Sequence, residues 1–92
     1  MRVIWTDAAL RGVSRAYDYL FEFNPYAARH LADSLLRTGE ALHHFPHRGR
    51  IVTGSALREI VVTHPYILRY RVQGDEVVIL RVRHAARKPT AP

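Results

Sequence analysis

Four arginines in the second half of the chain are spaced two apart, Arg69 with Arg71 and Arg81 with Arg83. Side chains alternate across a strand with a period of two, so each pair falls on one side of its strand. Two such strands side by side would present four guanidinium groups, whose forked donors suit carboxylate or phosphate. His84 closes the second segment with an imidazole, a side chain that ordinarily changes charge near neutral pH. Metal-free RNA cleavage needs a base for the 2′-hydroxyl, an acid for the leaving oxygen and cations around the phosphate. His84 could supply the first or second of these, and Arg58 and Arg81 the third. By alternation, however, His84 falls with Val82 and away from Arg83, which favours an edge histidine over a catalytic one. His43, His44 and His47 suggest zinc, but Pro46 breaks the helix that would align them and the chain has no cysteine. They read instead as a solvated helix end, where cationic histidine suits the dipole. The sequence therefore predicts no metal and no cofactor.

The elements that must carry these groups follow from hydrophobic spacing. Tyr66, Leu68, Tyr70 and Val72 share one side of a strand over 66–73, and Ile67, Arg69 and Arg71 share the other. Over 76–84, Val78, Leu80 and Val82 fall on one side, and Val77, Ile79, Arg81 and Arg83 on the other. This alternation predicts a sheet covered on one face and open on the face that carries arginine. The open face then combines Arg69, Arg71, Arg81 and Arg83 with Ile67, Val77 and Ile79, a surface for a partner that is acidic and partly apolar. To keep like residues together the turn between the strands should be Gln73-Gly74-Asp75, with Val72 opposite Glu76, because a slip of one residue inverts every side chain. A further strand over 57–63 has apolar residues on both faces, which fits a central position and leaves open whether Arg58 or Glu59 joins the open face.

Upstream, residues 2–5 read as a short strand and Thr6 as the cap of a helix whose apolar stripe is Leu10, Val13, Tyr17 and Leu20. Asn24-Pro25 restarts a second helix, running to about residue 44, with Ala28, Leu31, Leu35 and Leu42 on one side. Joined with almost no linker, the helices form a hairpin able to cover one face of a small sheet. The connector 43–55 is punctuated by Pro46, Gly49 and Gly54, and 50–53 could extend as a strand entry. Trp5, Tyr17, Phe21, Phe23 and Phe45 lie on or beside the buried stripes and read as core. The fold class is thus α+β, a β-α-α-β-β-β domain over 1–87, with 88–92 a frayed tail.

Ninety-two residues make one modest core. Residues 1–46 carry five arginines and five acids, whereas 47–92 carry eight arginines and one lysine against three acids, so the whole net charge of +6 lies in the second half. A localised basic field favours nucleic acid or an acidic protein. Without cysteine there is no disulfide framework. The opening apolar run Val3-Ile4-Trp5 is too short for a signal peptide or membrane span, which points to the cytoplasm.

In this order and spacing the chain resembles the RelE/ParE superfamily of toxins from type II toxin–antitoxin systems. The likeness is carried by Asn24-Pro25 with Ala27-Ala28, Phe45-Pro46 with Gly49-Arg50, Leu57-Arg58-Glu59, Pro65-Tyr66 with Tyr70-Arg71-Val72, and Ile79-Leu80-Arg81-Val82 with His84 and Arg87. The resemblance implies growth arrest, plasmid stabilisation, and neutralisation by a cognate acidic antitoxin, a ribbon-helix-helix protein of ParD type, in a hetero-oligomer. RelE-like members cleave mRNA on the ribosome as metal-independent endoribonucleases; ParE-like members inhibit DNA gyrase and are not nucleases. Ala85, Ala86 and Arg87 follow His84, so the terminal aromatic of many nucleases is missing, and the only lysine is Lys88. The ParE-like reading leads, with Arg69, Arg71, Arg81, Arg83, Arg87, Ile67, Val77 and Ile79 as contacts for target or antitoxin. The alternative is the endoribonuclease, with Arg58, Arg81 and His84 at its centre.

Overall fold

Thr6 caps the first helix as its sequence position demands: extended backbone, with the hydroxyl accepting from the Ala9 N–H over 3.1 Å. In the computed structural model, which describes residues 1–86, strand β1 (Arg2–Trp5) leads through this cap into α1 (Asp7–Phe21). Asn24 caps α2 (Pro25–Ala41) in the same way, accepting from Ala27 N–H over 3.1 Å with Pro25 in the first turn. The connector then enters β2 (Arg50–Ile51), β3 (Arg58–Thr63), β4 (Tyr66–Gln73) and β5 (Glu76–His84).

The described strands form one mixed sheet in the order β1-β5-β4-β3-β2. The last four strands run antiparallel, and β1 adds to β5 in parallel, with Val3 beside Val77 and Trp5 beside Ile79. The helix hairpin packs on one face, so the expected layering holds. The two edge strands are short. β1 ends at Trp5, level with Ile79, and β2 meets only Arg58 and Glu59 of β3. At the end of the sheet that holds His84 and Thr63, the described sheet is therefore three strands wide.

The core gathers Ala9, Val13 and Ala16 from α1, Leu31 and Leu35 from α2, and Ile60, Leu68, Tyr70, Val77 and Ile79 from the sheet. The stripe of α1 is rotated from the expected one. Leu10 is exposed, and small residues face the sheet instead. Close approach explains this, since a Cβ on Gly12 would lie 2.9 Å from that of Val82. Gly39 plays the same part in α2, where Trp5 and Ile79 occupy the space a side chain would need.

The turn after β4 corrects the expected register. Gln73 pairs with Glu76 around a two-residue Gly74-Asp75 turn, with Gly74 at φ 60°, and Val72 meets Val77. A bulge at Leu80 then shifts the ladder, so that Tyr70 pairs with Ile79 but Arg69 with Arg81. The turn puts Val77 and Ile79 on the helix side, and the bulge returns Arg81 and Arg83 to the open side. Val77 and Ile79, expected on the open face, are 0% exposed in the core, while Val78 moves to the open side beside Arg71. Ile67 does lie on the arginine side between Val61 and Arg83, but only 7% of it is exposed, so it is no free contact surface either. The aromatic expectation holds for Trp5, which packs against the core, and fails for Phe23 and Phe45, exposed at 72% and 69%, and for Phe21.

Candidate functional site

Cross-strand register puts four charged side chains in one row on the open face, Arg50, Glu59, Arg69 and Arg81, on β2, β3, β4 and β5. Arg83 lies one row along on the same side. Glu59 is the centre of the group. Its Oε2 accepts from Arg69 Nε over 2.9 Å and lies 2.8 Å from Arg69 Nη2 and 3.3 Å from Arg83 Nε. Its Oε1 accepts from Arg50 Nη2 over 3.4 Å. Both Glu59 and Arg69 are buried, Arg83 is half-buried, and Arg71 and Arg81 are exposed. Of the four arginines expected to be free on this face, two are engaged by one carboxylate. Glu59 thus belongs to the open face, a point that its apolar surroundings in the sequence left undecided. Arg87 and the expected tail lie outside the described residues.

Arg58 takes the opposite side. It pairs with Tyr70 and reaches the connector, where Nη1 donates to the carbonyls of Gly49 over 2.8 Å and His47 over 3.3 Å. Tyr70 holds the same loop, its buried hydroxyl accepting from the Gly49 N–H and donating to the Pro46 carbonyl, each over 2.8 Å. These two residues anchor the segment on which Phe45, His47 and Arg48 are exposed.

His84 shares the helix side with Val82 and stands edge-on to Tyr66, ring centroids 5.3 Å apart. Its Nδ1 accepts from the Ala86 N–H over 3.2 Å. It borders an open groove of about 380 Å³ between α1 and the sheet end, lined by Arg15, Tyr19, Tyr66 and Val82 among others. Arg58 and His84 are therefore on one face, separated by the four-residue step from Tyr70 to Tyr66, roughly 13 Å along the strand. Arg81 is on the other face. The structure does not bring Arg58, Arg81 and His84 together.

This arrangement of helix hairpin and sheet has known counterparts. The sequence profile of the family described as "ParE toxin of type II toxin-antitoxin system, parDE" matches residues 3–89. The chain belongs to the ParE toxin family. Among its relatives, Toxin RelE2 of Caulobacter vibrioides is 43% identical over 94% of this chain and 97% of that protein. Putative toxin Y4kP of Sinorhizobium fredii is 35% identical over 91% and 88%. A solved structure described as the chromosomal ParDE TA system from P. aeruginosa superposes with a TM-score of 0.80, at 23% identity over 91% of this chain and 95% of that one. The YoeB/ParE toxin from Agrobacterium tumefaciens follows with a TM-score of 0.57, at 17% identity over 91% and 98%. These structures share the fold; the name ParE comes with the family and the solved structures, and the name RelE with sequence relatives such as RelE2. As a type II toxin the chain has an antitoxin for a partner. None of its described helices is long and apolar enough to cross a membrane.

Proposed function

We propose that this toxin arrests growth by binding a protein target, DNA gyrase, and not by cutting message. One observation carries the reading: the groups a nuclease would need are dispersed, with Arg81 on the open face and Arg58 and His84 apart on the other. Cleavage without metal requires an acid–base pair and phosphate-holding cations around a single bond. Arg58, moreover, spends its guanidinium on the connector carbonyls. Binding a protein surface has no such requirement; exposed arginines beside apolar contacts suffice. Arg81 and Arg71 are exposed on the described open face and, unlike Arg50, which is also exposed, are not drawn to Glu59, and Arg87 is proposed to extend that contact. Neutralisation is assigned to an acidic ribbon-helix-helix antitoxin of ParD type, drawn by the basic second half of the chain.

The endoribonuclease reading keeps one support, the groove that places Arg15, Tyr19 and Tyr66 beside His84. The two readings separate in a paired assay. Purified toxin is incubated with ribosomes and message, and in parallel with gyrase and relaxed plasmid. Inhibited supercoiling with intact message is the expected result. Codon-register cuts with unaffected supercoiling would overturn it.

A further inference from the structure

The centre of the basic face is already occupied by an anion that belongs to the chain. Glu59 lies 5% exposed at the middle of the cross-strand row, with guanidinium nitrogens of Arg50, Arg69 and Arg83 all within 3.4 Å of its carboxylate. Three cations around one carboxylate leave a positive excess, and Arg81 adds to it at the end of the row. Arg83 Nε is buried and, among the described residues, has no hydrogen-bond partner of good geometry, although it sits 3.3 Å from Glu59 Oε2. An arginine cluster of this shape is what a phosphodiester would use, and here the carboxylate stands where the phosphate would have to come.

We propose that Glu59 is an internal counter-ion that sets the specificity of this face: it holds Arg69 and Arg83 away from phosphate and leaves Arg81 and Arg71 as the groups that meet a partner. An incoming phosphate would have to break a buried ion pair and then lie against a second anion in a poorly solvated place, and both steps oppose it. A protein carboxylate at the rim meets Arg81 or Arg71 and leaves the buried pair intact. Glu59 thus converts a surface with the composition of a nucleic-acid site into one that selects protein. The inference rests on the reading that this face meets protein, but its test contains neither gyrase nor ribosome, so the two can fail separately.

The test compares the wild-type toxin with Glu59→Gln and Glu59→Ala, using inorganic phosphate and a fluorescent single-stranded RNA dodecamer as probes. Neutralising Glu59 frees Arg69 and Arg83 for phosphate, whereas Arg50, its side chain 73% exposed, is open to phosphate in either case. RNA affinity should then rise at least about tenfold at low salt, and the salt slope should steepen by about 1.4, at about 0.7 per phosphate contact on a single strand. Phosphate, against chloride of equal ionic strength, should raise the melting temperature of Glu59→Ala and leave that of the wild type unmoved. Unchanged RNA affinity in a folded variant would overturn the proposal. Should neither variant fold, the wild type still decides. On titration with the dodecamer, the Nε–H resonances of Arg69 and Arg83 should stay in place while that of Arg81 shifts; movement of all three together would overturn it.

Discussion

The hydroxyl of Thr6 donates to the carbonyl of Leu80 over 3.0 Å, which ties the cap of α1 to the bulge of β5. The same oxygen accepts from Ala9 N–H, and the Thr6 N–H donates to the Ile79 carbonyl over 3.1 Å. Helix start and strand irregularity are therefore one unit, and the irregularity decides which way Arg81 and Arg83 face. Thr6→Ala should cost about 1–2 kcal/mol, and Thr6→Ser much less, in urea unfolding. Equal losses would show that the hydroxyl contributes nothing.

Removing the phenol oxygen of Tyr70 should release the connector without opening the core. Tyr70→Phe leaves the Gly49 N–H and the Pro46 carbonyl without their partner, at a cost of about 1–3 kcal/mol. Hydrogen exchange should accelerate at the Gly49 amide while amides in the middle of β4 keep their protection. Unchanged exchange at Gly49 would mean that Arg58 holds the loop alone.

Three neighbours on β5 should respond in three ways. Ile79→Ala removes a fully buried side chain and should destabilise by about 2–5 kcal/mol. Leu80→Ala acts at the half-buried bulge, outside the group packed on the core, and should cost less than about 1.5 kcal/mol. Arg81→Ala should leave the melt within about 0.5 kcal/mol of wild type yet weaken growth arrest on induction. Equal shifts for all three would refute the facing described here.

Filling Gly39 should harm the protein although alanine is the better helix former, by about 1 kcal/mol. A Cβ there would collide with the Trp5 ring and lie 2.7 Å from Ile79 Cδ1. Overpacking of this kind costs about 1–3 kcal/mol. Gly39→Ala should lower the melting temperature and shift the indole emission, and a more stable variant would mean that α2 can retreat from the sheet.

What could be read from residue types alone was the part set by local rules. Thr6 and Asn24-Pro25 announce their helices because capping chemistry is local, and Leu31 and Leu35 recur at a spacing that only one helix face satisfies. The bulge had no such signal. The run Val77-Val78-Ile79-Leu80 is apolar at every position, so alternation cannot choose its facing, and the choice is made by Gly74-Asp75 on one side and Thr6 on the other. Glu59 escaped for a related reason: it stands beside Arg58 ahead of three apolar residues, and only cross-strand register shows that its neighbour is Arg69. The exposure of Phe23 and Phe45 is not legible in the sequence, because an aromatic ring in a loop carries no period that reveals whether anything covers it.

The shortness of β1 has a consequence for how copies of this toxin behave when crowded. Beyond Ile79 no described strand borders the outer side of β5, and none borders β3 beyond Glu59, so apart from the Leu80 carbonyl, which Thr6 takes up, both flanks present unpaired strand edge among the described residues. Such flanks invite polymerisation, and charged side chains are one of the devices that discourage it. Arg81 and Arg83 stand on the open stretch of β5, where stacking copies would bring like charges together. Erasing both should therefore yield fibres or amorphous precipitate during expression, well before any loss of cooperative unfolding could account for it.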